Sequence, residues 1–229
     1  MPGGYLAQAP AAGRRGAVLV GMEMFGVTAY VRSVADRIAA LGYTAYAPDF
    51  YHRVAPGIEL EPDNDGRARG FELAGTLTRG QALEDLRAAI ELLRARDDAT
   101  GAVAMVGMSF GGHIAYLAAT QLDLATTVVF YGGWLTGTDI ALSRPAPTLA
   151  LTPGIRAPLL YLVGDADHAV PTADRERIAA ALGAAGVEHE LVVYPDTPHG
   201  FFCDVRDTYR PAQAADAWAR TRRALASAL

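Results

Sequence analysis

The chain has 229 residues, 51% of them apolar, a formal net charge of −5 and a single cysteine, Cys203. Its length and apolar content suit one α/β domain with a sheet covered on both faces, and its interspersed charges leave no basic footprint for nucleic acid or an anionic membrane. One cysteine excludes an internal disulfide framework and fits a reducing compartment; with no secretory leader and no apolar run long enough to span a bilayer, a cytoplasmic protein is expected.

Short apolar runs alternate with longer helical patterns, the rhythm of βαβ units around a parallel sheet. Strands are predicted at residues 17–21, 44–47, 102–107, 126–131, 159–163 and 189–194, with a short edge strand at 5–9. Several are continuously apolar, as expected of strands buried on both faces. Helices are predicted at 30–41, 78–96, 112–121, 174–185 and 211–228. In the second, Ala82, Leu86, Ala89, Ile90 and Leu93 share one face, with charged residues mostly away from it. Residues 50–75 and 132–158 break the rhythm, being rich in glycine, proline and polar residues. Because the βα alternation resumes after each, they read as excursions over the carboxyl edge of the sheet, where such folds place ligands.

Gly107-Met108-Ser109-Phe110-Gly111 lies between a predicted strand and a predicted helix. That is the context of a nucleophile elbow, in which glycines let strand and helix press together while a strained turn lifts the Ser hydroxyl clear. A Ser hydroxyl needs a base within hydrogen-bond reach and a third group to orient that base. Of the five histidines, His199 lies in a loop immediately after the last predicted strand, at the same sheet edge as Ser109. The acid is expected between them in sequence, in Gly164-Asp165-Ala166-Asp167, where Asp167 is far enough around the turn to reach His199 and Asp165 adjoins the strand-end glycine. Backbone N–H groups of Phe110, after the nucleophile, and of Met24, in the loop after the first long strand, are the natural oxyanion donors. Glu23 is the unexpected neighbour, since a carboxylate beside an oxyanion hole opposes negative charge unless it is paired or protonated.

Taken together, Glu23-Met24-Phe25-Gly26-Val27 with Tyr30, Tyr43 to Asp49, the elbow with Gly112, Gly164 to Pro171, and Pro198-His199-Gly200-Phe201 resemble the dienelactone hydrolase family of the α/β-hydrolase superfamily. The similarity runs from about residue 17 to 224, in matching order. It implies an α/β-hydrolase fold, a mostly parallel central sheet with helices on both faces, in a single domain. It also implies a triad of Ser109, Asp167 and His199, with Met24 and Phe110 as oxyanion donors. In the family the residue at Glu23 pairs with the resting nucleophile and swings away when substrate binds.

This chain departs from the family pattern in carrying Ser109 where the best-known members have Cys. A family arginine that clamps a substrate carboxylate just after the catalytic His is absent from Gly200-Phe201-Phe202-Cys203, with no Arg until Arg206. A second family arginine falls in the irregular segment at 50–75, where Arg67 and Arg69 are the candidate equivalents, neither of them aligned. Glu23, Trp134 and Phe201 are expected to contact substrate, in a pocket more apolar than the family's. The reading is a hydrolase of small carboxylic esters or lactones working through an acyl-Ser intermediate, with no metal, cofactor, nucleic-acid or membrane partner. Acyl transfer or C–C hydrolysis on the same triad, and a non-catalytic ligand-binding role, are the alternatives.

Overall fold

The computed structural model describes residues 3–8, 13 and 15–229, and its frame is one seven-stranded sheet. In chain order the elements are β1 (Gly4–Ala7), β2 (Arg15–Gly21), α1 (Ala29–Ala39), β3 (Thr44–Pro48), α2 (Asn64–Thr76), α3 (Arg79–Arg94), β4 (Ala99–Met108), α4 (Phe110–Gln121), β5 (Thr127–Phe130), β6 (Leu159–Gly164), α5 (Thr172–Ala184), β7 (His189–Tyr194) and α6 (Pro211–Ala228). The strands lie in the order β1-β3-β2-β4-β5-β6-β7. All neighbours pair in parallel except β1, which runs antiparallel along β3 with Tyr5 opposite Ala47. This is the predicted edge strand; residue 9, its expected end, lies outside the described residues.

The continuously apolar strands are buried on both faces. Val18, Leu19, Val20, Ala104, Met105, Val106, Val128, Val129, Leu162 and Val163 are all inaccessible to solvent. Every predicted helix forms, and the long second one, α3, starts on a capping box in which Thr78 and Gln81 satisfy each other's backbone N–H groups.

The segment at residues 50–75 differs from expectation, because half of it is the helix α2. Three glycines, Gly66, Gly70 and Gly75, disfavour a helix by about 1 kcal/mol each relative to Ala and blur any apolar stripe. Tertiary contact overrides that preference. Gly70 lies against the loop after β2, where an added Cβ would come 2.9 Å from the Met24 carbonyl oxygen. The excursion at 132–158 is also partly ordered, carrying 3₁₀ turns at Ala141–Ser143 and Thr148–Gly154. Among the described residues, no helix is long and apolar enough to cross a membrane.

Candidate active site

Ser109 stands between β4 and α4 with φ 54°, a left-handed conformation costly for any residue but glycine. Its N–H donates to the Phe130 carbonyl of β5 at 3.0 Å, which holds the turn in place. The surrounding glycines permit the crowding: a Cβ on Gly112 would lie 2.7 Å from that same Phe130 oxygen. The strain lifts the Ser109 hydroxyl toward His199, whose Nε2 is 2.9 Å from Oγ.

The other face of the imidazole meets Asp167. His199 Nδ1 lies 3.0 and 2.9 Å from the two carboxylate oxygens. A carboxylate only accepts, so Nδ1–H donates to Asp167 and Nε2 accepts from the Ser109 hydroxyl. Asp167 is buried and fixed in turn by the N–H groups of Ala169 and Val170, which donate to Oδ1 at 2.8 and 3.2 Å. Asp165 is exposed and accepts from the Thr197 N–H at 3.3 Å, bracing the loop that delivers His199. The Tyr131 ring, fully buried, stands edge-on to the imidazole at 4.9 Å, and His168 contacts it at 5.6 Å.

A cavity of about 420 Å³ opens over Ser109 and His199. Met24, Phe25, Phe71, His168 and Val205 line it together with Ser109 and His199. Phe110 is the first residue of α4, so its N–H is one of the helix-start donors left without an intrahelical acceptor. Met24 is held by the Tyr51 hydroxyl, which donates to its carbonyl at 3.1 Å.

Several expected substrate contacts are placed differently. Phe201 does not line the cavity. It is fully buried behind the triad, packed on Tyr131 at 5.5 Å and Tyr194 at 5.2 Å, and Phe202 turns toward Trp218. The tight turn at Gly200, with φ 78°, drives both aromatic rings into the core, so the cavity owes its apolar character to other residues. Trp134 lies one layer back, edge-on to Phe71 at 5.8 Å. Glu23 does not meet the nucleophile. Its carboxylate is 3% exposed and accepts a charge-assisted hydrogen bond from Arg206, whose side chain is 16% exposed. Burial pushes the Glu23 carboxyl up from its usual range, and the charges of Arg206 and His199 pull it back.

Of the three arginines singled out in the sequence, Arg67 and Arg206 line the cavity, whereas Arg69 pairs with Glu72 on its own helix. The turns at residues 200–209 carry Arg206 back over the site, a course its distance from His199 in sequence does not announce. Cys203 is no rival nucleophile: burial raises its thiol to about 12, keeping it protonated at neutral pH. Phe71 and Val205 went unnoticed in the sequence because neither sits in a motif. A signal for α2 was present, however, in Asp63, whose carboxylate caps the helix by accepting from the Gly66 N–H at 2.8 Å.

A sequence profile of the dienelactone hydrolase family matches residues 3–229. A Synechocystis protein named "Putative carboxymethylenebutenolidase" is 36% identical over 224 residues, covering 96% of this chain and 89% of its own. The carboxymethylenebutenolidase of Pseudomonas putida is 31% identical over 182 residues, covering 79% of this chain and 73% of its own. A crystal structure described as "Putative Dienelactone Hydrolase" from Klebsiella pneumoniae superposes with a TM-score of 0.88 at 31% identity, covering 97% of this chain and 92% of its own. With a parallel sheet closed by one antiparallel edge strand, and with a match along nearly its whole length, the chain has the α/β-hydrolase fold and belongs to the dienelactone hydrolase family.

Proposed function

We propose that this chain is a serine hydrolase that cleaves small carboxylic esters or lactones through an acyl-Ser109 intermediate. Ser109 attacks the carbonyl carbon while His199 Nε2 takes its proton, and Asp167 fixes the tautomer and stabilises the imidazolium. The N–H groups of Phe110 and Met24 receive the oxyanion, at the positive end of α4. The proton then passes from His199 to the leaving alcohol, and a water repeats the sequence to release the acid. The observation that carries this reading is the continuous relay of 2.9 Å from Ser109 to His199 and 2.9 Å from His199 to Asp167.

The cavity supports a substrate of mixed character, with apolar walls at Met24, Phe25, Phe71 and Val205 beside the guanidinium of Arg67. A reducing compartment suits the buried, free Cys203, and we take the cytoplasm as the site of action. The test is turnover of p-nitrophenyl acetate together with a fluorophosphonate label mapped by mass spectrometry. Label on Ser109 and activity abolished in Ser109→Ala support the assignment; undiminished turnover in that variant, or label elsewhere, ends it.

A further inference from the structure

Phe71 is a large apolar side chain left 52% exposed, and it faces the catalytic cavity. Isolated exposed apolar residues are ordinary on a protein surface. This one is distinguished by the structure that supports it. Its ring rests edge-on against Trp134, with centroids 5.8 Å apart and planes at 72°. Trp134 in turn holds a left-handed backbone, φ 58°, which only glycine adopts without strain. The Ser143 hydroxyl pins that peptide by donating to the Trp134 carbonyl at 2.8 Å. Backbone strain persists where surrounding contacts enforce it, and here its result is a rigid aromatic backing for a ring that looks into the active site. The helix carrying Phe71 is brought close enough only because residue 70 has no side chain to strike Met24.

Val205, Asp207 and Thr208, from the turns after His199, line the same cavity. Helix α2 lies against the loop of Met24, and it is to the acyl group that the proposal assigns its wall.

We propose that Phe71, backed by Trp134, is the acyl-specificity residue of this enzyme, a shelf that receives a flat apolar acyl group and so favours esters of aromatic acids. The inference rests on the ester-hydrolase reading above and extends it to a substrate class. Loss of a ring–ring contact of this kind is worth up to about tenfold in the selectivity ratio.

The experiment compares p-nitrophenyl benzoate with p-nitrophenyl acetate, which share a leaving group and differ only in the acyl part. Phe71→Ala is expected to lower the benzoate-to-acetate ratio of kcat/KM about tenfold, mainly through KM. Phe71→Tyr, which keeps a flat ring, is expected to retain the ratio, and Phe71→Leu to lose most of it. General damage to α2 would depress both esters together and leave the ratio unmoved, and that result overturns the proposal. So does a Phe71→Ala effect on phenyl acetate relative to ethyl acetate instead, because the ring would then serve the alcohol side. Acetate turnover by the wild type with no change in the benzoate ratio removes the shelf and leaves the hydrolase standing. Wild-type turnover no greater than that of Ser109→Ala on either ester removes both.

Discussion

The Arg206 guanidinium closes on the Glu23 carboxylate across 183 positions of sequence, joining the loop after β2 to the turns that follow His199. Both side chains are largely buried, so each depends on the other for its charge. Among the described residues Glu23 Oε1 has no hydrogen-bond partner, which leaves Arg206 as its principal compensation. Removing one member of such a pair strands a buried charge, whereas removing both does not. Arg206→Ala is therefore expected to destabilise the fold by about 3 kcal/mol, and Glu23→Leu combined with Arg206→Met to recover most of that loss. Urea denaturation of the single and double variants measures it.

The triad makes a sharper prediction about rate than about stability. Asp167→Asn preserves shape but presents an N–H where the carboxylate accepted, so His199 is turned to the wrong tautomer. A fall in kcat of about 10⁴ is expected, with little change in KM. Ser109→Ala is expected to fall at least as far while unfolding at nearly the same denaturant concentration. Steady-state kinetics on p-nitrophenyl acetate, beside a denaturation curve, separates the two effects.

His113 supplies a pH prediction. It is fully buried, with Nδ1 2.9 Å from the Gly133 carbonyl and Nε2 2.8 Å from the Thr148 hydroxyl. A neutral ring that donates from Nδ1 and accepts at Nε2 satisfies both contacts. Burial lowers its pKa to about 4, against the raising effect of the Gly133 carbonyl and with some help from the Arg79 charge. The folded state thus resists a proton that the unfolded chain accepts near pH 6.5. Stability is complete above about pH 6.5, falls by roughly 3 kcal/mol as the pH drops toward 4, and then levels off. His113→Gln, which keeps a donor and an acceptor without titrating, should flatten that part of the stability–pH curve.

Gly70 makes the fourth prediction. Ala is the better helix former by about 1 kcal/mol, so Gly70→Ala ought to strengthen α2 considered alone. In place, the new methyl would lie 2.9 Å from the Met24 oxygen and 3.2 Å from its Cγ. Either the helix or the loop proposed to hold the oxyanion must shift, and misplacement by about 1 Å can cost up to 10² in rate. The expected outcome is a fall in kcat of ten- to a hundredfold without loss of thermal stability.

The parallel sheet and the grouping of Ser109, Asp167 and His199 were legible in the sequence because both are written locally. A strand buried on both faces is a run of apolar residues, and Ser109 and Asp167 each follow such a run, whereas His199 follows the more exposed edge strand β7. The choice of Asp167 over Asp165 also agrees with the structure, where the first reaches His199 and the second holds the Thr197 N–H. What was not legible depends on contacts between distant segments. The glycines of α2 read as loop because the reason for at least one of them, the approach of Gly70 to Met24, lies 46 positions away in the chain. Phe201 read as a pocket residue because it follows His199, but the turn at Gly200 sends its ring inward. Arg206 meets Glu23 only because the chain winds back on itself after that turn.

Contact between Gly70 and Met24 also constrains how this enzyme can diversify. The wall that would sort acyl groups and the loop that would steady the charged intermediate are one mechanical unit, joined where no side chain intervenes. Transplanting a new version of this helix to alter preference would therefore tax turnover, unless the transplant keeps residue 70 bare.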